Sequence, residues 1–159
     1  MHELLDAATI EYWLFGGWGV DFHVGEPTRE HDDIDIAVWH ADLPRIVPLL
    51  ERDGWIHAPE PDEDGGTGYE RDGVRLELTF LARDEQGRIV TPLRGRNAAW
   101  SGDAFPGEIA QLGGVQARVV SIDALTRSKS SPRDDPDDAA KDDADFSRLA
   151  ALRPQPPRP

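Results

Sequence analysis

Residues 12–39 read YWLFGGWGVDFHVGEPTREHDDIDIAVW, and this stretch decides the fold. Tyr12 to Phe15 form an apolar run that stops at Gly16-Gly17, as a buried strand does on meeting a tight turn. Residues 18–25 read as a short helix stopped by Gly25, with Pro27 behind it. Residues 33–39 read as a second strand, along which side chains alternate faces. Ile34, Ile36 and Val38 enter the core. Asp33 and Asp35 share the opposite face, about 7 Å apart at the backbone. Asp32 points the other way at the mouth of the strand and reads as solvated. Two anions held side by side repel unless a cation sits between them. Mg²⁺ suits the place, because it binds through one or two carboxylates plus substrate phosphates.

The surroundings agree with that chemistry. Glycines at the end of a strand and the start of a helix let backbone amides approach a phosphate closely. Arg29 and His31 bracket the loop into the acidic strand. Arg29 has the fork of a phosphate clamp, and it is equally suited to a surface ion pair with Glu26 or Glu30. A third carboxylate lies in GVRLELTFL, residues 73–81. There Val74, Leu76, Leu78 and Phe80 share one strand face, and Arg75, Glu77 and Thr79 the other. If that strand neighbours 33–39, Glu77 completes an acidic triad. It could ligate metal or take a proton from an attacking hydroxyl.

The chain of 159 residues is long enough for one domain with a real core. That domain is expected over 1–152, followed by a disordered proline-rich tail, RPQPPRP, at 153–159. Helices are expected at 2–10, 42–54, 121–129 and 139–152. Asp42 and Ser121 are cap candidates, and Pro48 is an irregularity inside the second of these helices. A strand is expected at 55–60, a polar loop at 61–68 and an acidic loop at 130–138. Hairpins should turn at Asp72-Gly73, Asp84–Gly87 and Gly113-Gly114. The fold class is α/β (α+β), a mixed sheet flanked by helices without regular Rossmann alternation.

There are no cysteines, which excludes disulfides and thiolate metal sites. Net charge is −14, so a nucleic-acid partner is not expected, whereas a cationic small molecule would be tolerated. No apolar run approaches the roughly 20 residues of a membrane span, so no membrane partner is expected. MHELLDAATI at the N-terminus lacks the pattern of a signal peptide, and a cytoplasmic location is expected.

The pattern GGWGVD…G…TREHDDIDIAV resembles the small antibiotic nucleotidyltransferases of the DNA polymerase beta-like superfamily. The short lincosamide nucleotidyltransferases are the better likeness and the aminoglycoside 2''-nucleotidyltransferases the more distant one. The resemblance rests on Gly16-Gly17, on Asp33 with Asp35, and on Glu77. Trp18, Gly19, Val20, Asp21, Gly25, Arg29, Glu30 and His31 add to it. It returns at AAKDDADFSRL, where Lys141, Asp142 and Asp145 match a Lys-Asp-x-x-Asp pattern on the last helix. Two residues depart from it: Phe15 and Glu77 stand where the lincosamide enzymes carry aspartate.

The resemblance implies a polymerase beta-like core and Mg²⁺-dependent transfer of AMP, or another nucleoside monophosphate, from ATP or another nucleoside triphosphate. The acceptor would be a hydroxyl of a small molecule, a lincosamide or an aminoglycoside, with release of pyrophosphate. Asp33 and Asp35 would hold Mg²⁺, with two ions expected, and Glu77 would be third ligand, general base or both. Gly16, Gly17, Arg29 and His31 would hold the phosphates. Lys129 and Lys141 are candidates for the same task, or exposed lysines neutralising nearby aspartates. Trp18, Trp55 and Trp100 read as core, and PDEDGG, 61–66, as an ordinary solvated turn. So short a chain leaves a homodimer open as the way to complete a substrate pocket. Two alternatives stay open: a protein acceptor, and a non-catalytic nucleotide-binding module.

Overall fold

The computed structural model describes residues 1–60, 63–130 and 135–152. The first half of the chain runs α1 (His2–Ala7), β1 (Tyr12–Leu14), α2 (Gly16–Val24), β2 (Asp33–Trp39) and α3 (Leu43–Arg52), with a short 3₁₀ turn, His40–Asp42, before α3. The strands β3 (Ile56–His57), β4 (Gly66–Arg71), β5 (Val74–Arg83), β6 (Ile89–Leu93) and β7 (Arg96–Ala99) follow. The hairpin β8 (Ile109–Leu112) and β9 (Val115–Arg118) leads into α4 (Ile122–Lys129) and α5 (Pro136–Leu152).

Seven strands make one mixed sheet in the order β1-β2-β5-β4-β3, with β6 paired to the far end of β5 and β7 to β6. The β2–β5 pair is parallel and the other pairs of this sheet are antiparallel. Ile34 is half-buried and Val74 exposed, but most of the expected apolar faces are buried: Ile36 and Val38 of β2, Leu76 and Leu78 of β5. Each such side chain contributes roughly 1.5–3 kcal/mol by leaving water. On β5 the alternation shifts at its end, where Leu81 is buried and Phe80 only half-buried. Helices α2, α4 and α5 pack on one another and bury Val20, Leu125 and Leu149. The β8–β9 hairpin is tied to β1 by Val120 N–H, which donates to the Leu14 carbonyl at 2.9 Å.

Several boundaries differ from the sequence reading for local reasons. Helix α2 begins at Gly16 rather than at residue 18, because Phe15 is extended and its carbonyl already accepts from Gly19 N–H at 3.0 Å. Strand β4 begins at Gly66, inside the expected loop, where any side chain at Gly66 would collide with the Leu78 carbonyl. Such close backbone approach is what glycine permits and what a propensity reading scores as loop. The strand at 55–60 shortens to Ile56–His57, and β7 has no counterpart in the sequence reading. Asp42 stands at the N-cap of α3 without a side-chain cap bond, its carboxylate pairing with Arg45 at 3.1 Å instead. Pro48 stays inside α3 on the exposed face, where water can reach the carbonyl its ring leaves unpaired. Ser121 does cap α4, accepting from Ala124 N–H at 3.3 Å. The expected tail, 153–159, and residues 131–134 of the expected acidic loop lie outside the described residues, whereas 136–138 of that loop belong to α5.

Candidate active site

Register assembles the acids. The parallel β2–β5 ladder sets Asp35 opposite Glu77 and Asp33 opposite Arg75. Residues directly opposite share a face, so Asp33, Asp35 and Glu77 leave the same side of two neighbouring strands. The expected three-acid metal set is nonetheless not closed. Among the described residues no group of three carboxylate or imidazole side chains is close enough to hold a metal ion. On the same face Arg75 Nε donates to Glu77 Oε1. That hydrogen bond raises the Arg75 guanidinium further above its usual pKa, against the smaller opposing effect of burial.

Gly16-Gly17 lies against this face. A Cβ on Gly16 would collide with the Asp35 carboxylate, and Gly16 itself has φ +60°. A Cβ on Gly17 would collide with the His31 ring and come within 2.6 Å of Arg29 Nη2. The two glycines therefore let an acid and a base pack onto the first turn of α2. Phe15 N–H donates to the Asp35 carbonyl at 3.1 Å, which fixes β1 and the turn against β2.

The His31 side chain is 1% exposed and its Nε2 donates to the buried Asp21 carboxylate at 2.7 Å. Asp21 also accepts from Thr28 N–H at 3.0 Å and from the Thr28 hydroxyl at 2.5 Å. His31 packs over Gly17 and the Trp18 ring and is not among the residues lining either cavity described below. Its Nε2 is thus taken by Asp21, while its Nδ1, beside Gly17, is buried with no hydrogen-bond partner among the described residues.

Arg29, Lys129 and Lys141 do converge. Together with Gly16, Gly17 and five aspartates, Asp32, Asp33, Asp35, Asp138 and Asp142, they line a cavity of about 220 Å³. Arg29 is not in the surface pair with Glu26 or Glu30. Its guanidinium faces Asp145 at 3.6 Å, and Asp145 is fully buried. Lys129 is likewise buried rather than exposed, 2.7 Å from Asp142 and 3.1 Å from Asp145. Lys141 is more open, 3.7 Å from Asp32 and 3.5 Å from Asp138. Asp145 thus anchors two of the three cations that line the cavity, a role the Lys-Asp-x-x-Asp spacing could have signalled, since Asp142 and Asp145 are one turn apart on α5.

A second cavity of about 780 Å³ shares Asp35 with the first. Glu77, Glu63 and Asp64 line it, with Phe15, Trp100 and Arg127. The loop read as a solvated turn therefore contributes two acids to its wall. Asp64 is fixed there by accepting from Arg94 N–H at 2.9 Å. Trp100, read as core, is half-buried, stands edge-on to Phe15 and donates to Thr91 at 2.9 Å. Phe15, Asp35 and Ser128 belong to both cavities, Asp33 only to the smaller and Glu77 only to the larger.

Asp33 and Asp35 fit a Mg²⁺ ion. Both are hard oxygen donors, both line the smaller cavity, and the missing side chain of Gly16 leaves the Asp35 carboxylate its room.

Known proteins share this architecture. The chain matches a lincosamide resistance protein of Staphylococcus haemolyticus at 40% identity over 53 residues, 33% of this chain and 33% of that protein. It matches a 2''-aminoglycoside nucleotidyltransferase of Escherichia coli at 44% identity over 56 residues, 31% of this chain and 32% of that one. The matched segment thus spans about a third of the length of each curated relative. The fold is similar to that of the lincosamide antibiotic adenylyltransferase LnuA in its lincomycin-bound crystal structure. There the TM-score is 0.76 at 22% identity, over 95% of this chain and 92% of that one. The sequence profile of the aminoglycoside-2''-adenylyltransferase family matches residues 1–149, and the chain belongs to that family.

Proposed function

We propose that the protein transfers a nucleoside monophosphate, AMP from ATP in the first instance, to a hydroxyl of a small cationic acceptor and releases pyrophosphate. The observation that carries this reading is the place of Asp35 in the lining of two cavities of different character. The smaller one is lined by the start of α2, three cations and five aspartates, which suits a polyphosphate that arrives with a divalent cation. The larger one is of small-molecule size and lined by acids and aromatic rings, which suits an amine-bearing alcohol. The atoms that react would meet where the cavities join.

Each residue then has a task. Gly16 and Gly17 admit phosphate oxygens to the first turn of α2, and Arg29, Lys129 and Lys141 hold them by charge. Asp33 and Asp35 are the residues to hold Mg²⁺, which supplies neutralisation of the triphosphate and of the charge that develops on transfer. Glu77, facing the acceptor, takes the proton of the attacking hydroxyl. The acceptor oxygen forms its bond to the α-phosphorus as the bond to the β-phosphate bridging oxygen breaks, and pyrophosphate leaves with that electron pair. Lincosamide and aminoglycoside alcohols are the acceptors to try first, since similar proteins carry those names. The acidic wall favours the more highly charged aminoglycosides.

The test is Mg²⁺-dependent pyrophosphate release from ATP with a panel of such alcohols. Release that depends on one acceptor class is the expected result. No release with any acceptor, together with no ATP binding, overturns the reading.

A further inference from the structure

We infer that Arg75 is a positioning residue that keeps Glu77 out of the metal shell and reserves it for the acceptor hydroxyl. This rests on the transfer reading above. Arg75 and Glu77 are two apart on β5, so their side chains leave the same face. Register alone puts Arg75 beside the acid pair, opposite Asp33. Its guanidinium is taken up on the other side of β5. Nε donates to Glu77, Nη1 to Glu70 at 3.2 Å, and Nη2 faces Glu60 at 3.1 Å.

The place of the guanidinium is built by the strand beneath it. A Cβ on Gly68 of β4 would come within 2.5 Å of Arg75 Nη2 and 2.8 Å of the Ala58 carbonyl oxygen. A side chain there would crowd both the guanidinium and the Ala58 carbonyl. Arg75 is 22% exposed and Glu77 27%, so the pair is partly desolvated and held by two further acids. A fixed, multiply paired guanidinium of this kind is unlike the mobile surface pairs that contribute little.

The consequence is a division of labour among three acids on one face. A metal ion taking Glu77 Oε1 would first have to displace the Arg75 fork. Glu77 also lines only the acceptor cavity, whereas Asp33 and Asp35 line the nucleotide cavity. The hydrogen bond to Arg75 and the cavity it lines together assign Glu77 to the acceptor.

The test uses Mn²⁺ in place of Mg²⁺, with binding followed by calorimetry in the presence of a non-hydrolysable ATP analogue, on the full chain. Glu77→Gln is expected to leave Mn²⁺ affinity within about twofold, as for a residue outside the shell. Arg75→Gln is expected to tighten Mn²⁺ by about 10-fold by releasing Glu77, and the double variant to lose that gain. In turnover, Arg75→Gln should lower kcat about 10- to 100-fold with the nucleotide KM little changed, and Arg75→Lys should restore part of it. A tenfold loss of Mn²⁺ affinity in Glu77→Gln overturns the inference, and so does an Arg75→Gln protein unchanged in both Mn²⁺ affinity and kcat. The Glu77→Gln arm decides the matter even if Arg75→Gln does not fold. If the unsubstituted protein binds the analogue yet transfers to no acceptor, the transfer reading fails while the Mn²⁺ cycle still decides the role of Arg75.

Discussion

Glu77 stands directly opposite Asp35 on the parallel β2–β5 ladder, yet it lines only one of the two cavities that share Asp35. Asp33, on the same strand as Asp35, lines only the other. Two substitutions should therefore fail in different ways. Asp33→Asn should weaken nucleotide binding, seen as a raised ATP KM and a lower affinity by calorimetry. Glu77→Gln should keep nucleotide affinity and lose kcat by about 10²- to 10⁴-fold, the usual contribution of a general base. Equal loss of ATP affinity in both variants would contradict this partition.

Gly16 is constrained twice, by a φ of +60° and by the Asp35 carboxylate against its α-carbon. Gly16→Ala should cost about 1–3 kcal/mol of stability and abolish transfer, because Asp35 must move. Gly25 gives the control. It has φ +88°, but a Cβ there would meet nothing within 4 Å. Gly25→Ala should cost about 1 kcal/mol and leave kcat near its original value. Urea unfolding and initial rates on the two variants make the comparison.

Asp145 is fully buried and faces Lys129, Arg29 and Arg148. Removing one partner from a buried ion pair leaves the other charge uncompensated, and Asp145→Ala should cost about 3–5 kcal/mol. ATP affinity should fall as well, since Lys129 and Arg29 lose their anchor. A variant as stable as the parent, with unchanged ATP affinity, would show that Asp142 alone holds Lys129.

Tyr12 gives a pH dependence at the alkaline end. Burial first, and then the Asp6 carboxylate, push its phenol up from 10.0 to about 12. Tyr69 is shifted the same way, again chiefly by burial. In the unfolded chain these phenols ionise earlier, so the folded state binds more protons between pH 10 and about 12. Stability is then fully present below the unfolded value and falls as pH rises through that window. Urea midpoints at pH 9 and 11 should differ in that direction, and Tyr12→Phe should reduce the difference.

Much of the site is legible in the amino-acid sequence, and the reasons are physical. Asp33, Asp35 and Glu77 follow from strand alternation, a local property, and the fold brings all three to one face. Gly16-Gly17 stands out by its place between a strand and a helix. What stays hidden are the properties of partners distant in sequence. The hold that Asp21, a buried acid on α2, has on His31 Nε2 is one such property. Alternation puts Arg75 on the acid face, but the room its guanidinium takes lies beside Gly68 of the neighbouring strand. Glycine misleads twice in the same direction. At Gly66 and Gly68 it serves close strand packing, where sequence propensity reads a loop.

The parallel pairing of β2 with β5 also bears on how the protein comes to fold. Antiparallel neighbours such as β4 and β5 can form from a hairpin with little chain to close. The β2–β5 ladder cannot, because α3, β3 and β4 all lie between its strands in the chain. Long-range parallel contacts carry a loop-closure cost before they bring any return, so they form late. Asp35 and Glu77 meet only through this ladder. Recovery of activity during refolding should therefore lag behind recovery of helical signal, which makes turnover a measure of the last step of folding rather than of the first.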